Sequence, residues 1–204
     1  MSKTLDLTKE LISKPSVTPN DMGCQDLITQ RLKPLGFNIE KIDFGEVSNL
    51  WATVGEGNKM LVLLGHTDVV PTGPIEQWDS DPFIGTERDG LLYGRGVADM
   101  KSSVAAFITA CEDISSEKIP LKGKLGIMLT SDEEGPAEDG VKKVVEELKS
   151  RGINIDWCLV GEPTSEDVLG DAIKIGRRGS VGASITIKGV QGHIAYPSKA
   201  DNPI

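Results

Sequence analysis

The sequence predicts an α/β fold, in which one sheet carries helices on both sides. Predicted strands alternate with amphipathic helices along most of the chain, which is the usual order of elements in such a fold. Residues 60–64 form a short, wholly apolar run, typical of a strand that is buried on both faces.

Apolar residues at helical spacing predict four helices. The first two end near residues that disfavour helix, Pro15 and Gly36, and Gly152 caps the last. The predicted helices cover residues 5–13, 21–35, 101–114 and 141–151.

Short apolar or alternating runs predict six strands. The last of them, residues 180–188, alternates between apolar and polar side chains, which indicates one exposed face. Residues 70–94 are rich in proline and glycine and are predicted to form a loop. The predicted strands cover residues 37–42, 49–54, 60–64, 124–130, 157–160 and 180–188.

Composition narrows the classes of function. The 204 residues include 22 Lys and Arg against 31 Asp and Glu, so the formal net charge is −9. An acidic chain without a basic block is poorly suited to nucleic acid or an anionic membrane, and no apolar run is long enough for a membrane span. The three cysteines are widely spaced and the first residues lack a signal-peptide core, so we expect a cytoplasmic protein.

Histidine and acidic residues are concentrated in four motifs, and each motif follows a predicted strand or begins a predicted helix. Ligands bind at the carboxyl ends of strands in open α/β sheets, so we expect these motifs to share one edge. The motifs are GHTD at 65–68, GRGVADMK at 94–101, TSDEEG at 130–135 and GEPT at 161–164.

Each motif taken alone also has an ordinary structural explanation. His66 could be a hydrogen-bonded core histidine, and Asp99 could simply cap a helix. Glu133 and Glu134 could belong to a solvated acidic loop, and Glu162 to a turn.

Taken together, the motifs favour a site for two divalent metal ions. One imidazole with several carboxylates suits zinc, manganese or cobalt. The charges of Asp99, Glu134 and Glu162, together with a bridging hydroxide, would balance two divalent cations. That balance would leave Glu133 free to act as a base.

At these residues the sequence resembles the dinuclear zinc peptidase/deacylase family, which includes acetylornithine deacetylase, aminoacylase and carboxypeptidase G. The combination of GEPTS, GRRGS and GHIAYP favours the desuccinylases of this family over its deacetylases. The motifs that carry the resemblance are LLGHTDVVPTG (63–73), WDSDPF (78–83), LYGRGVADMKS (92–102), TSDEEGPAEDG (130–140), GEPTS (161–165), GRRGS (176–180) and KGVQGHIAYP (188–197).

The resemblance implies a metal ligand set. His66 and Glu162 would bind one ion, Asp99 would bridge both ions, and Glu134 would bind the second. Zinc is the ion that the resemblance implies, and cobalt or manganese would suit the same ligands. A cis peptide bond would join Asp99 to Met100.

The resemblance also implies roles in catalysis and substrate binding. Asp68 would orient His66, and Glu133 would be the general base and later the acid. His193 would reach the active site of a partner subunit and stabilise the oxyanion; a simple turn position is the alternative. The residues expected near the substrate's carboxylates are Arg178, Ser180 and Tyr196, although Arg178 could equally be a surface cation.

The resemblance predicts two domains, both incomplete. Residues 1–177 would form the catalytic metal-binding domain, with a mixed sheet flanked by helices and without its C-terminal portion. Residues 178–204 would begin an α+β dimerisation domain, or lid domain, of which this chain has the first strand.

The resemblance implies that the intact protein is a homodimeric amide hydrolase with a small-molecule substrate. A histidine ligand of the second metal comes from a later part of family members, and this chain has only His66 and His193. We therefore expect the second metal site to be impaired and these 204 residues alone to be inactive. The alternatives are an acetylornithine deacetylase, a dipeptidase of the same family, or a folded fragment without activity.

Overall fold

A computed structural model describes residues 2–176, 179, 182–201 and 203 of the chain. The chain divides into two compact units, Met1–Pro163 and Thr164–Ile204. All four acidic or histidine motifs begin in the first unit, and the four candidate metal ligands lie within it.

The first unit contains four α-helices and seven strands among the described residues. The helices are α1 (Lys3–Ile12), α2 (Cys24–Leu32), α3 (Ser102–Ser116) and α4 (Val141–Ser150). The strands are β1 (Asn38–Lys41), β2 (Asn49–Val54), β3 (Met60–His66), β4 (Thr86–Arg88), β5 (Leu91–Tyr93), β6 (Lys124–Thr130) and β7 (Trp157–Val160).

Five of these strands form a mixed sheet in the order β1-β2-β6-β3-β7. Strand β3 runs parallel to β6 and β7, whereas β2 runs antiparallel to β1 and β6. The chain leaves β3 for β6 on one side and later returns to β7 on the other side. The carboxyl ends of β3 and β7 therefore lie at the point where the winding reverses, a position at which α/β sheets bind ligands.

Helices cover both faces of the sheet, as the sequence predicts. Helices α1, α2 and α3 pack on one face against side chains such as Leu63 and Leu129, and α4 packs on the other face against Val62 and Met128. Neighbouring residues of β3 and β6 point to opposite faces, so both strands are buried on both sides.

The predicted loop over residues 70–94 contains a small hairpin that the sequence analysis missed. Strands β4 and β5 are joined by two residues, Asp89 and Gly90, which both have positive φ. Such a turn suits the twist of a hairpin, and Asp-Gly is a common sequence for it. The strands have only three residues each, too few for an alternating pattern to stand out.

The prediction of a strand over residues 180–188 is wrong for residues 182–188, which form no strand. Their alternating pattern leaves Ile185 and Ile187 largely exposed. A strand forms only by pairing with a neighbour, and no described segment pairs with this one. Within the second unit, the described pairing is a single bridge between Val190 and Asp201.

The predicted boundary between residues 177 and 178 falls inside the second unit, and this boundary stays a prediction. Of the helices in the described residues, none combines the length and apolar character that crossing a membrane requires.

Candidate metal centre

His66 is the last residue of β3, and its side chain is almost fully buried. Its Nδ1 lies 2.9 Å from the backbone carbonyl oxygen of Asp68, which accepts a hydrogen bond from the ring. Because Nδ1 donates to this carbonyl, Nε2 is the ring nitrogen that faces the neighbouring acidic side chains. A metal-binding histidine is usually oriented in this way by an acceptor on its second nitrogen.

Carboxylates from three other segments surround His66 Nε2. Asp99 Oδ1 lies 3.0 Å away, Glu162 Oε1 3.5 Å and Glu133 Oε2 3.9 Å. Glu134 joins His66 and Asp99 in a group whose potential ligand atoms all lie within 4.8 Å of one another. The structure therefore brings all four predicted metal ligands, and the predicted base, to one place.

The register of the sheet explains why His66 and Glu162 meet the Glu133–Glu134 segment. Leu64 of β3 pairs with Val160 of β7, so His66 and Glu162 each follow by two residues at adjacent strand ends. His66 also pairs with Thr130, the last residue of β6, and Glu133 and Glu134 follow shortly after it.

Asp99 reaches the centre from the turn before α3. This irregular turn, Val97–Lys101, is closed by a hydrogen bond from the Lys101 amide to the Gly96 carbonyl. The buried Lys101 ammonium donates to the carbonyl oxygens of Leu11 and Lys14, each at 2.8 Å, and so fixes the turn to the end of α1. The cis peptide between Asp99 and Met100 is present.

Asp68 is fully buried and connects two loops of the centre. Its Oδ1 accepts a hydrogen bond from the Glu133 amide at 3.3 Å, and its Oδ2 accepts one from the Glu134 amide at 3.0 Å. His66 Nδ1 lies 3.4 Å from Asp68 Oδ1, farther than from the Asp68 carbonyl. The closer contact to the imidazole is therefore the main chain of Asp68, and its carboxylate holds the Glu133–Glu134 segment.

The pKa values show how strongly these groups interact. Burial by itself lowers the pKa of His66, but hydrogen bonding and charge from Asp68, with help from Asp99, raise it to about 9. Burial and the charge of Asp99 raise the pKa of Glu162 to about 7, and the same two causes raise the pKa of Glu134. Carboxylates crowded in this way favour protonation unless a cation neutralises them.

The donor set fits divalent metal ions. Nε2 of His66 faces carboxylate oxygens, and this arrangement is favourable when a proton or a metal cation lies between them. Imidazole and carboxylate together suit zinc, cobalt or manganese. In the described residues two overlapping groups have ligand geometry, one of His66, Glu133 and Glu162 and one of His66, Asp99 and Glu134.

The remaining predicted site residues belong to the second unit. His193 and Tyr196 are exposed, and their ring centroids are 6.0 Å apart. The Ala195 amide donates to His193 Nδ1 at 3.1 Å, so the neutral ring carries its proton on Nε2. Arg178 and Ser180 lie outside the described residues.

Three residues that the motifs contain received no role in the sequence analysis, namely Gly65, Met100 and Gly161. Gly65 directly precedes His66, and Gly161 directly precedes Glu162. A glycine inside a strand often marks a close approach by another group, and Gly65 of β3 carries this signal in the sequence.

Curated relatives match the chain over its whole length. Succinyl-diaminopimelate desuccinylases from Xylella fastidiosa (strain 9a5c), Herminiimonas arsenicoxydans and Stenotrophomonas maltophilia (strain K279a) are 60%, 58% and 58% identical over 204 residues. In each case the match covers 100% of this chain and 54% of the relative, so the chain spans about half the length of these proteins.

Solved structures share the fold. Human carnosine dipeptidase 1 superposes with a TM-score of 0.72 at 23% identity, covering 79% of this chain and 38% of that one. The M20 family metallo-carboxypeptidase Sso-CP2 from Sulfolobus solfataricus superposes with a TM-score of 0.67 at 21% identity, covering 80% and 38%. Residues 62–204 match the sequence profile of peptidase family M20/M25/M40, and this range contains all four candidate metal ligands. The chain therefore belongs to peptidase family M20/M25/M40.

Proposed function

We propose that the intact protein is a metal-dependent amide hydrolase that converts N-succinyl-L,L-2,6-diaminopimelate and water to succinate and L,L-diaminopimelate. The observation that carries this proposal is the convergence of His66 with four carboxylates at the carboxyl edge of β3, β6 and β7. The names of the relatives at 58–60% identity indicate the substrate, and the reaction would belong to lysine and diaminopimelate biosynthesis.

The proposed ligands are His66 and Glu162 for one ion and Glu134 for the second, with Asp99 shared between them. Zinc is the proposed ion, and cobalt or manganese would suit the same donors. When bound, the ions would lower the pKa of a coordinated water towards neutrality and polarise the substrate carbonyl. His66 is suited to its role because the Asp68 carbonyl keeps Nε2 free to bind.

Glu133 is the proposed proton carrier. Its carboxylate is farther from His66 Nε2 than those of Asp99 and Glu162, and its side chain is 42% exposed, so it can face a substrate. A carboxylate oxygen of Glu133 accepts a proton from the attacking water as the carbon–oxygen bond forms. The same oxygen then gives the proton to the amine nitrogen as the carbon–nitrogen bond breaks.

Residues of the second unit are proposed to handle the oxyanion and the substrate's carboxylates. His193 is suited to donate a hydrogen bond, because the Ala195 amide occupies Nδ1 and the proton of the neutral ring is on Nε2. In the intact homodimer this donor would serve the active site of the partner subunit. Arg178, Ser180 and Tyr196 are proposed to bind the substrate's carboxylates, and the enzyme is proposed to act in the cytoplasm.

A substrate panel on the zinc-loaded, full-length protein tests this function. We expect kcat/KM to be highest for N-succinyl-L,L-diaminopimelate, with N-acetylornithine and a dipeptide such as carnosine as comparison substrates. Faster hydrolysis of either comparison substrate would overturn the proposed substrate. Undiminished turnover after exhaustive chelation, with metal content measured at zero, would overturn the proposed chemistry.

A further inference from the structure

The Met100 side chain occupies a space that two glycines leave open. A Cβ added at Gly65 would lie 2.7 Å from Met100 Cε and 3.3 Å from Met100 Sδ. A Cβ added at Gly161 would also lie 2.7 Å from Met100 Cε. Met100 is fully buried. The end of its side chain lies between the carboxyl ends of the neighbouring strands β3 and β7.

Each of these three residues is the chain neighbour of a candidate metal ligand. Gly65 precedes His66, Gly161 precedes Glu162, and Met100 follows Asp99. The thioether sulfur of Met100 also lies 3.4 Å from the backbone nitrogen of His66, which donates to it. The Met100 side chain therefore lies against the main chain beside two ligands, and the backbone of Met100 is joined by a peptide bond to the third ligand, Asp99.

Two side chains of α3 line the same spaces beside the glycines. Val104 Cγ2 lies 3.2 Å from the added Gly65 Cβ position, and Phe107 Cζ lies 2.8 Å from the added Gly161 position. Both belong to α3, which follows directly on the turn that carries Asp99. Close-packed interiors transmit small displacements, so a change at any of these contacts would move the ligands relative to one another.

We propose that Met100 is a positioning residue that sets the spacing of His66, Asp99 and Glu162. This inference rests on the proposed function, because it takes these side chains to bind divalent metal ions. An unbranched thioether suits the position, since its narrow end fits between two backbones where a branched side chain would not reach. The glycines are needed for the same reason, as each leaves room for the end of Met100.

The test compares zinc affinities of full-length variants, measured by competition with a chelating dye. We expect Gly65→Ala, Gly161→Ala and Met100→Ala each to weaken zinc binding by about tenfold or more, the size of effect that groups supporting metal ligands have. Met100→Leu, which keeps most of the volume, should lose less. The absorption spectrum of the cobalt-loaded protein should change in the same variants, because ligand geometry changes.

Two matched controls separate positioning from general packing. Gly126 lies inside β6, where an added Cβ would meet Trp51 Cη2 at 2.9 Å, and Met128 is 2% exposed in the core against α4. Gly126→Ala and Met128→Ala should lower the melting temperature of the metal-free protein comparably. Core substitutions lower stability wherever they fall, so these two variants report the effect of general packing. Their zinc affinity should stay within about threefold of wild type.

A double variant tests the contact directly. In Gly65→Ala/Met100→Ala the new methyl group enters space that the Met100 side chain has left, so zinc affinity should exceed that of Gly65→Ala alone. Affinity losses no larger than those of the two controls would overturn the inference and leave the proposed function standing. A wild-type protein that binds no zinc would overturn both.

Discussion

The two edges of the five-stranded sheet differ in how their charges are balanced. At the edge where β3 and β6 begin, Lys59 Nζ lies 2.6 Å from Asp156 Oδ1, and Arg151 Nη1 lies 2.5 Å from Glu40 Oε1. At the edge where these strands end, His66 is the one cationic side chain that approaches the clustered carboxylates, in the part of the chain that the structure describes.

The difference shows that concave shape is a poorer guide to this site than unbalanced charge. The amino edge has a cavity of about 440 Å³, lined by residues that include Asn38, Trp51 and Lys124. Glu40, which lines this cavity, and the nearby Asp156 both have basic partners. At the carboxyl edge four carboxylates crowd around a single imidazole, that of His66, and carboxylates crowded in this way favour binding of a cation.

The largest expected difference between the edges is in catalysis. Glu133→Gln in the full-length, zinc-loaded protein removes the proposed proton carrier, so kcat should fall by about 100-fold or more. Zinc content, measured by elemental analysis, should be unchanged because Glu133 is not a proposed ligand. Glu40→Gln at the opposite edge is the matched control and should keep normal kcat. Normal turnover by Glu133→Gln would remove Glu133 from the mechanism.

A smaller effect on kcat is expected for substitution of Asp68, the buried acid that connects the end of β3 to the Glu133–Glu134 segment. In Asp68→Asn an amide group would face one of the two backbone amides that the carboxylate now accepts from. We expect kcat to fall about 10- to 100-fold, because the Glu133–Glu134 segment loses its anchor. Asp156→Asn, which alters an acceptor at the amino edge, is the control and should keep normal kcat.

This variant also distinguishes two roles for Asp68. If its carboxylate acts mainly on the imidazole, Asp68→Asn should weaken zinc binding and keep normal kcat once zinc is saturating. If it acts mainly on the loop, as the shorter distances indicate, kcat should stay low at saturating zinc. Steady-state kinetics over a series of zinc concentrations decide between these outcomes.

Removal of the metal should make the stability of the protein depend on pH, because the groups at the carboxyl edge then titrate. The pKa of Glu162, about 7, and that of His66, about 9, exceed the ordinary values of 4.5 and 6.5. A group whose pKa is raised by folding stabilises the folded state fully below its ordinary pKa and loses that contribution as the pH rises through the raised value. Metal-free protein should therefore become less stable from about pH 5 to pH 9.

Zinc should oppose this loss, since it replaces the protons that the carboxylates would otherwise need. At zinc concentrations about 100-fold above the dissociation constant, the free energy of unfolding should rise by about 2.7 kcal/mol. Thermal melts with and without chelator, across this pH range, measure both effects. Identical melting curves in both conditions would contradict a metal centre at this edge.

The smallest effect is expected at the amino edge. Lys59 is 66% exposed, and exposed ion pairs contribute little to stability because water and salt screen them. Lys59→Met should change the free energy of unfolding by about 0.5 kcal/mol or less and leave kcat unchanged. Urea denaturation measures the first quantity. A large loss of activity would mean that the amino edge also belongs to the functional site.

Much of the fold and the centre could be predicted from local patterns. Strands β3 and β6 are apolar runs whose ends carry chemical groups, so both the sheet and the shared edge follow from the sequence. The hairpin of β4 and β5 was missed because three-residue strands give no periodic signal, although Asp89-Gly90 marked its turn. Residues 182–188 show the opposite case, in which a pattern is present and a described pairing partner is not.

The functional role of Met100 could not be predicted in the same way. In the sequence it is an ordinary apolar residue at the start of a helix, and its importance depends on distances to Gly65 and Gly161 across three segments. Likewise, the sequence indicated Asp68 as a partner of His66. Only coordinates distinguish its carbonyl at 2.9 Å from its carboxylate at 3.4 Å.

The carbonyl that holds the His66 ring belongs to the main chain, and this has a consequence for mutagenesis. Every amino acid placed at position 68 would still offer that oxygen, so a systematic scan of side chains would leave the hydrogen bond to the imidazole in place. This hydrogen bond would be lost only if the path of the backbone between residues 66 and 68 changed, for example through an inserted or deleted residue.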